Sequence, residues 1–576
     1  MKKLFKFLNN YKKELILGPF FKLLEAVFEL TVPVVMAKII DEGIANKDSG
    51  LILRLSGVIV LLGICGLGFA LTCQYFASKC AYGFGTELRE ALYSHINKLS
   101  YGSIDKIGTS SLINRLTNDT NTVQNGVNMF IRLATRVPFL IIGAVVMAVN
   151  LDAKLSLVFL AAAPLITVII MLIMKKTIPM YASVQKKLDR AATLTREGLE
   201  GTRVIRAFSR QQEEIDEFQE AVDDISVNSI AVGKISAILN PAAFMVMNLG
   251  IAAITWFGGI RINTGNLTQG ELTAFVNYMT QILLALLVLA NLLVIFTKAF
   301  ASANRVSEIF DLEPEISGSA DITYDYEYAV EFDDVSFGYD GAAENAVTGI
   351  SFSLKRGEVM GIIGGTGSGK STVANLIPCF YWTSSGTVRV YGKKAEEYDM
   401  NELRKTIGIV PQKAVLFSGS VRDNMKWRRE NASDEEIISA LKTAQAWEFV
   451  KKLPFGLDTG ISQGGKNLSG GQKQRISIAR ALVGKPEIVI LDDSTSALDY
   501  ATDLAFRRAL KEDMPDTTII MISQRTTSIK DADRILVLED GEAVGLGTHD
   551  ELLKTCDVYR DIYRSQMNEK EETGNV

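Results

Sequence analysis

The chain has 576 residues, 48% of them hydrophobic and 22% charged, with a net charge of −5. That length exceeds one domain, and the mixture fits a membrane half joined to a soluble half better than either alone. The small negative balance provides no global basic field and excludes nucleic acid as an expected partner. Five cysteines, Cys65, Cys73, Cys80, Cys379 and Cys556, lack zinc-ligand spacing and read as reduced, packed thiols. The basic N-terminus, Met-Lys-Lys-Leu-Phe-Lys, is not followed by a small-residue cleavage site, so no cleaved signal peptide is expected.

Six long apolar segments occupy the first half, at 15–40, 55–77, 137–151, 155–174, 238–260 and 272–296. Most approach the ~20 residues that cross ~30 Å of hydrocarbon. Short connections join the first to the second, the third to the fourth and the fifth to the sixth. The two remaining intervals are long, polar and helix-compatible, and each folds as a hairpin with arms of about 40 Å. Lys and Arg gather at the N-terminus and in these intervals, which predicts a cytoplasmic N-terminus and two cytosolic excursions. Their tips fall at 101–107 and 201–208, where a short helix would reach a domain below the membrane. The first segment carries Lys22, Glu25 and Glu29 on one helical face. Charges there are costly in lipid, so they face either a wet cavity and a polar or cationic substrate, or one another.

A boundary follows, with Pro314, Gly318 and an acidic stretch giving way to short strands that alternate with helices from Val330. The expected layout is a membrane domain at 1–311, a linker at 312–327, an α/β domain at 328–564 and a disordered tail at 565–576.

The second half is organised around Gly361-Ile-Ile-Gly-Gly-Thr-Gly-Ser-Gly-Lys370-Ser-Thr372, which holds the P-loop spacing. The backbone N–H groups from Gly364, Gly365, Thr366, Gly367, Ser368 and Gly369 turn inward on a polyphosphate. Lys370 places a cation near its β/γ oxygens, and Ser371 beside Thr372 offers a hydroxyl to Mg²⁺. The apolar run 488–491 suits a buried parallel strand and ends in Asp492, placed to hold Mg²⁺. Gln412 follows another apolar strand and is a candidate sensor of metal and water. Tyr339 is a candidate stacking platform for adenine. Ser469, Gly470, Gly471 and Gln472 open a helix as a second anion site. One P-loop has no need of two such sites, which points to a dimer with the helix opened by Ser469 covering the opposite nucleotide.

These motifs resemble those of an ATP-binding cassette (ABC) transporter of exporter type, with membrane and ATPase domains fused, and the resemblance spans nearly the whole chain. Tyr339 matches the adenine loop, 364–372 Walker A, Gln412 the Q-loop, 468–472 the signature, 488–492 Walker B and Ser496-Ala-Leu-Asp499 the D-loop. The resemblance implies six transmembrane helices with long cytosolic extensions joined to an α/β P-loop domain. It also implies ATP and Mg²⁺ as ligands, a multi-pass place in a bacterial inner or plasma membrane, and a small-molecule or lipid substrate.

Two departures carry the sharpest expectation. The family places a catalytic glutamate after the Walker B aspartate, and here Asp493 stands there. The family's switch histidine is replaced by Gln524. Asp is shorter by one methylene, about 1.5 Å, and glutamine cannot carry the charge of a protonated imidazole. This site is therefore expected to hold ATP while hydrolysing it slowly. The intact signature is expected to serve a partner half that has the glutamate and the histidine. The alternatives are a homodimeric exporter of slow turnover, or an ATP-gated channel or regulatory subunit.

Overall fold

The computed structural model describes residues 2–315, 317–322 and 326–573. The first half is built from six long helices and two short ones, α3 and α6: α1 (Lys12–Lys38), α2 (Ser49–Ile96), α3 (Tyr101–Ile107), α4 (Thr109–Leu151), α5 (Leu157–Glu200), α6 (Thr202–Ala207), α7 (Gln211–Asn263) and α8 (Gln269–Ile309). At 1.5 Å per residue the 44 residues of α5 extend about 66 Å, twice the hydrocarbon thickness. The chain divides into two compact units: residues up to Asn97 with Ser110–Leu312, and Lys98–Thr109 with the chain from Glu313 onward.

Five helices, α2, α4, α5, α7 and α8, are long and apolar enough to cross a membrane, where six spans were expected. The exception is α1, whose apolar run is broken by Lys22, Glu25 and Glu29. It packs along α2, α4 and α8, and its charges are neutralised there. Lys22 meets Glu25 at 2.6 Å, and Arg136 of α4 meets Glu29 at 2.5 Å. Both glutamates are thus tied to cations of the chain itself. The start of α8 is fixed by a capping box between Thr268 and Glu271. Asp41 adds to it by accepting from the Thr268 hydroxyl at 2.6 Å and the Gly270 N–H at 2.8 Å.

In the second unit the strands of the two larger sheets are β1 (Tyr328–Phe337), β2 (Val347–Lys355), β3 (Val359–Gly364), β4 (Ser385–Val390), β5 (Lys393–Lys394), β6 (Ile407–Val410), β7 (Ile488–Asp492), β8 (Thr518–Ile522), β9 (Arg534–Glu539) and β10 (Glu542–Gly547). The six-stranded sheet has the order β10-β9-β3-β8-β7-β6, parallel except for β10. Its strands are continuous apolar runs because both faces are covered, each by its own core cluster. An antiparallel sheet, β2-β1-β4-β5, lies beside it. The helices that matter below are α9 (Lys370–Leu376), α10 (Gly470–Leu482), α11 (Tyr500–Asp513), α12 (Thr526–Ile529) and α13 (Asp557–Thr573).

α3 belongs to this second unit. Tyr101 packs 4.5 Å from the ring of Phe380, and the Tyr381 hydroxyl donates to Asp105 at 2.6 Å. Burial and the Asp105 carboxylate together push the Tyr381 phenol well above its ordinary value. A tail was expected from residue 565, but α13 continues through Thr573, and 574–576 lie outside the described residues. The helix is anchored by Tyr559, fully buried, and by Ile562 packed on the core.

Candidate functional site

Parallel strands deliver their carboxyl ends to one edge of a sheet, and the loops beyond them can converge. Here β3 ends in Gly364, β7 in Asp492, β6 runs into Pro411-Gln412 and β8 into Ser523-Gln524. The register aligns these ends, with Ile522 opposite Asp492 and Val410 opposite Leu491. The sequence-predicted residues Gly364–Thr372, Gln412, Asp492, Asp493 and Gln524 are therefore brought to a single edge.

Gly367 and Gly369 adopt φ of +86° and +90°, a left-handed backbone that lets the loop turn without a Cβ penalty. A Cβ at Gly365 or Gly367 would meet no atom within 4 Å, so the backbone at both positions is open to close approach. Lys370, 8% exposed, donates to the Gly364 carbonyl at 3.0 Å, to that of Gly365, and to Ser368 Oγ at 3.3 Å. Burial lowers its pKa from the ordinary lysine value, and the Asp492 and Asp493 carboxylates oppose that effect. Ser371 Oγ donates to Asp492 Oδ1 at 3.0 Å. A hydroxyl and a carboxylate at that distance form a hard oxygen pair suited to Mg²⁺.

Asp493 follows directly, with φ of +42° and its N–H donating to the Ile522 carbonyl at 3.0 Å. Gln412 Nε2 donates to Asp493 Oδ2 at 3.3 Å. Burial raises both carboxyl pKa values above the ordinary range. Asp493 adds to the effect on Asp492, while the hydrogen bond from Gln412 and the charge of Arg525 oppose it on Asp493. Gln524 is exposed at the end of β8. Tyr339, 38% exposed, stands edge-on to Phe337 and Tyr381, and its hydroxyl lies 3.2 Å from Thr372 Oγ1. This ring borders Walker A with a face available for stacking.

The signature residues form a separate feature. Ser469 caps α10 and closes a reciprocal box with Gln472, leaving Gly470 with no neighbour within 4 Å of a Cβ. Both histidines are bonded to groups other than Gln524. His95 Nε2 is bonded to the Ile309 and Leu312 carbonyls at 3.0 and 3.1 Å, and His549 Nδ1 to the Tyr559 hydroxyl at 2.7 Å.

The sequence reading missed Gln566, whose side chain reaches from α13 to the loop that carries Gln524. The available signal was the spacing of Tyr559, Ile562, Tyr563 and Gln566 on one helical face.

Two family models match in tandem: the ABC transporter transmembrane region over residues 15–286 and ABC transporter over 347–496. A Bacillus subtilis protein described as an uncharacterized ABC transporter ATP-binding protein, YfiB, is 37% identical over 98% of this chain and 99% of its own length. The chain belongs to the ABC transporter family. It fuses an ABC membrane domain to an ATP-binding domain. An ATP-dependent lipid A-core flippase from Haemophilus ducreyi is 29% identical over 99% of this ABC transporter chain and 98% of its own. The structure of a bacterial Atm1-family ABC exporter with ATP bound superposes with a TM-score of 0.83 at 23% identity, covering 96% of this chain and 99% of that one. The two share one fold.

Proposed function

We propose that this chain is one half of an ATP-driven exporter, paired with a second ABC half, whose own Walker site binds ATP tightly and hydrolyses it slowly. The observation that carries the reading is the pair Asp493 and Gln524 at the ends of neighbouring strands, where the family has glutamate and histidine.

Lys370 supplies a cation to the β/γ phosphates, Tyr339 stacks on adenine, and Ser371 and Asp492 hold Mg²⁺. When bound, Mg²⁺ neutralises charge that develops on the phosphates. A general base must come within about 2.6–3.2 Å of the attacking water, and a displacement of about 1 Å costs roughly a hundredfold. Asp493 is one methylene short of that position and is already tied to Gln412. Gln524 donates a neutral hydrogen bond where an imidazolium would bring charge. Nucleotide binding is retained and bond cleavage is slowed. Ser469–Gln472 of this chain complete the partner's site, which supplies the glutamate and the histidine.

The N-terminus and the ATP-binding domain lie in the cytoplasm, and α3 and α6 at the tips of the excursions couple the two functions. The cargo is an amphiphilic, drug-like or lipid-like molecule, in keeping with the flippase among the relatives. The test is to load the purified pair with labelled ATP and Mg²⁺, crosslink it, and recover the nucleotide from each chain. Triphosphate on this chain and diphosphate on its partner support the proposal, whereas diphosphate on both chains refutes it.

A further inference from the structure

We infer that Gln566, on the C-terminal helix α13, is a positioning residue for the loop that carries Gln524, and through it for retention of nucleotide. The inference rests on the reading of Gln524 as a phosphate contact.

The physical need comes first. α12 has four residues, and its N-cap, Arg525, makes no side-chain cap. The N–H of Thr526 opens that helix without an intrahelical acceptor, and Thr526 is 1% exposed, so water cannot satisfy it. Gln566 Oε1 accepts from this N–H at 2.9 Å and from the Thr526 hydroxyl at 2.8 Å. Its Nε2 donates to the Gln524 carbonyl at 2.7 Å. Two donors on one amide atom and an acceptor on the other leave a single orientation of the amide that satisfies all three bonds.

The consequence is mechanical. The Gln566 bonds span the turn from residue 524 to residue 526, while Ser523 Oγ accepts from the Arg525 N–H at 2.9 Å at the strand end. Arg507 of α11 donates to the Ser528 carbonyl at 3.3 Å and holds the far end of α12. Gln566 itself is held by a helix whose root, Tyr559, is fully buried. A glutamine side chain at position 524 lacks the charge that would draw it to a phosphate, so its orientation depends on how well its backbone is fixed. A remote amide fixes it.

The experiment is hydrogen–deuterium exchange on the full-length protein with its partner half in lipid nanodiscs, for wild type, Gln566→Ala and Gln566→Glu, beside the release rate of bound ATP. Gln566→Ala is expected to speed exchange at the Thr526 amide by about tenfold and to speed ATP release from this chain's site by a similar factor. Gln566→Glu keeps the acceptor for Thr526 and loses the donor to Gln524. Exchange should return toward wild type while ATP release stays fast, a split that a purely structural role would not produce. Unchanged exchange in Gln566→Ala, or wild-type ATP release in both variants, overturns the inference. Gln524→Ala separates the two claims. Wild-type ATP release in that variant would remove the phosphate role of Gln524, whatever the exchange at Thr526 shows.

Discussion

Gln412 Nε2 donates to Asp493 Oδ2 at 3.3 Å, so the amide beyond β6 holds the carboxylate beyond β7. That bond occupies one oxygen of the carboxylate. Asp493→Glu is expected to raise hydrolysis at this site only a few-fold, because Gln524 stays limiting. Asp493→Glu combined with Gln524→His is expected to raise it by about a hundredfold. Single-turnover cleavage of ATP on this chain measures both.

Ser371 and Asp492, hydrogen-bonded at 3.0 Å, are the pair proposed to hold Mg²⁺. Asp492→Ala is expected to abolish the Mg²⁺ dependence of nucleotide binding, and Ser371→Ala to weaken binding about tenfold. Titration with a fluorescent ATP analogue, with and without Mg²⁺, reads each effect.

Burial raises the pKa of Asp492 and of Asp493 above the ordinary carboxylate value. Their contribution to stability is complete below the unfolded pKa, near 3.9, and is lost as pH rises through the raised folded values. On the proposed role of Asp492, a bound Mg²⁺ would favour the charged carboxylate and offset that loss. The thermal shift produced by MgATP should therefore be largest at neutral pH. It should fall away on acidification with a midpoint above 3.9, as a melting series from pH 4.5 to 7.5 would record.

Tyr339 presents a ring beside Walker A and bonds Thr372 through its hydroxyl. Tyr339→Ala is expected to weaken ATP by about tenfold, whereas Tyr339→Phe keeps the stacking face and loses less. Comparing ATP with triphosphate alone as competitor isolates the contribution of the adenine.

The Lys22–Glu25 pair is mostly buried, with the side chains 12% and 15% exposed. Lys22→Met leaves a carboxylate without its cation and is expected to cost about 3–5 kcal/mol, while replacing both residues by methionine is close to neutral. Melting in detergent checks the pair of variants.

The parts that were legible in the sequence depend on neighbours in the chain. Gly364 to Thr372, the apolar run into Asp492 and the Ser469 cap are local patterns, and each sits where its spacing implies. Helix α1 is expected as the first of six spans, and the family's membrane region includes it from residue 15, yet by length and composition only the other five helices qualify. Its charges exceed what composition alone accepts, and their partner Arg136 lies 107 residues away. The grouping of α3 with the second unit depends on Asp105 and Tyr381, 276 residues apart, which no periodicity reveals. The tail from 565 was judged by polarity. A strongly helix-forming run on a helix already anchored at Tyr559 extends it instead. Gln566 went unnoticed for the same reason.

The most direct test of the central claim is ATP turnover by this chain purified alone, compared with the same chain purified with its partner half. The account predicts slow turnover alone, about a hundredfold below that of the pair, with ATP still bound. Turnover by the isolated chain equal to that of the pair would contradict it.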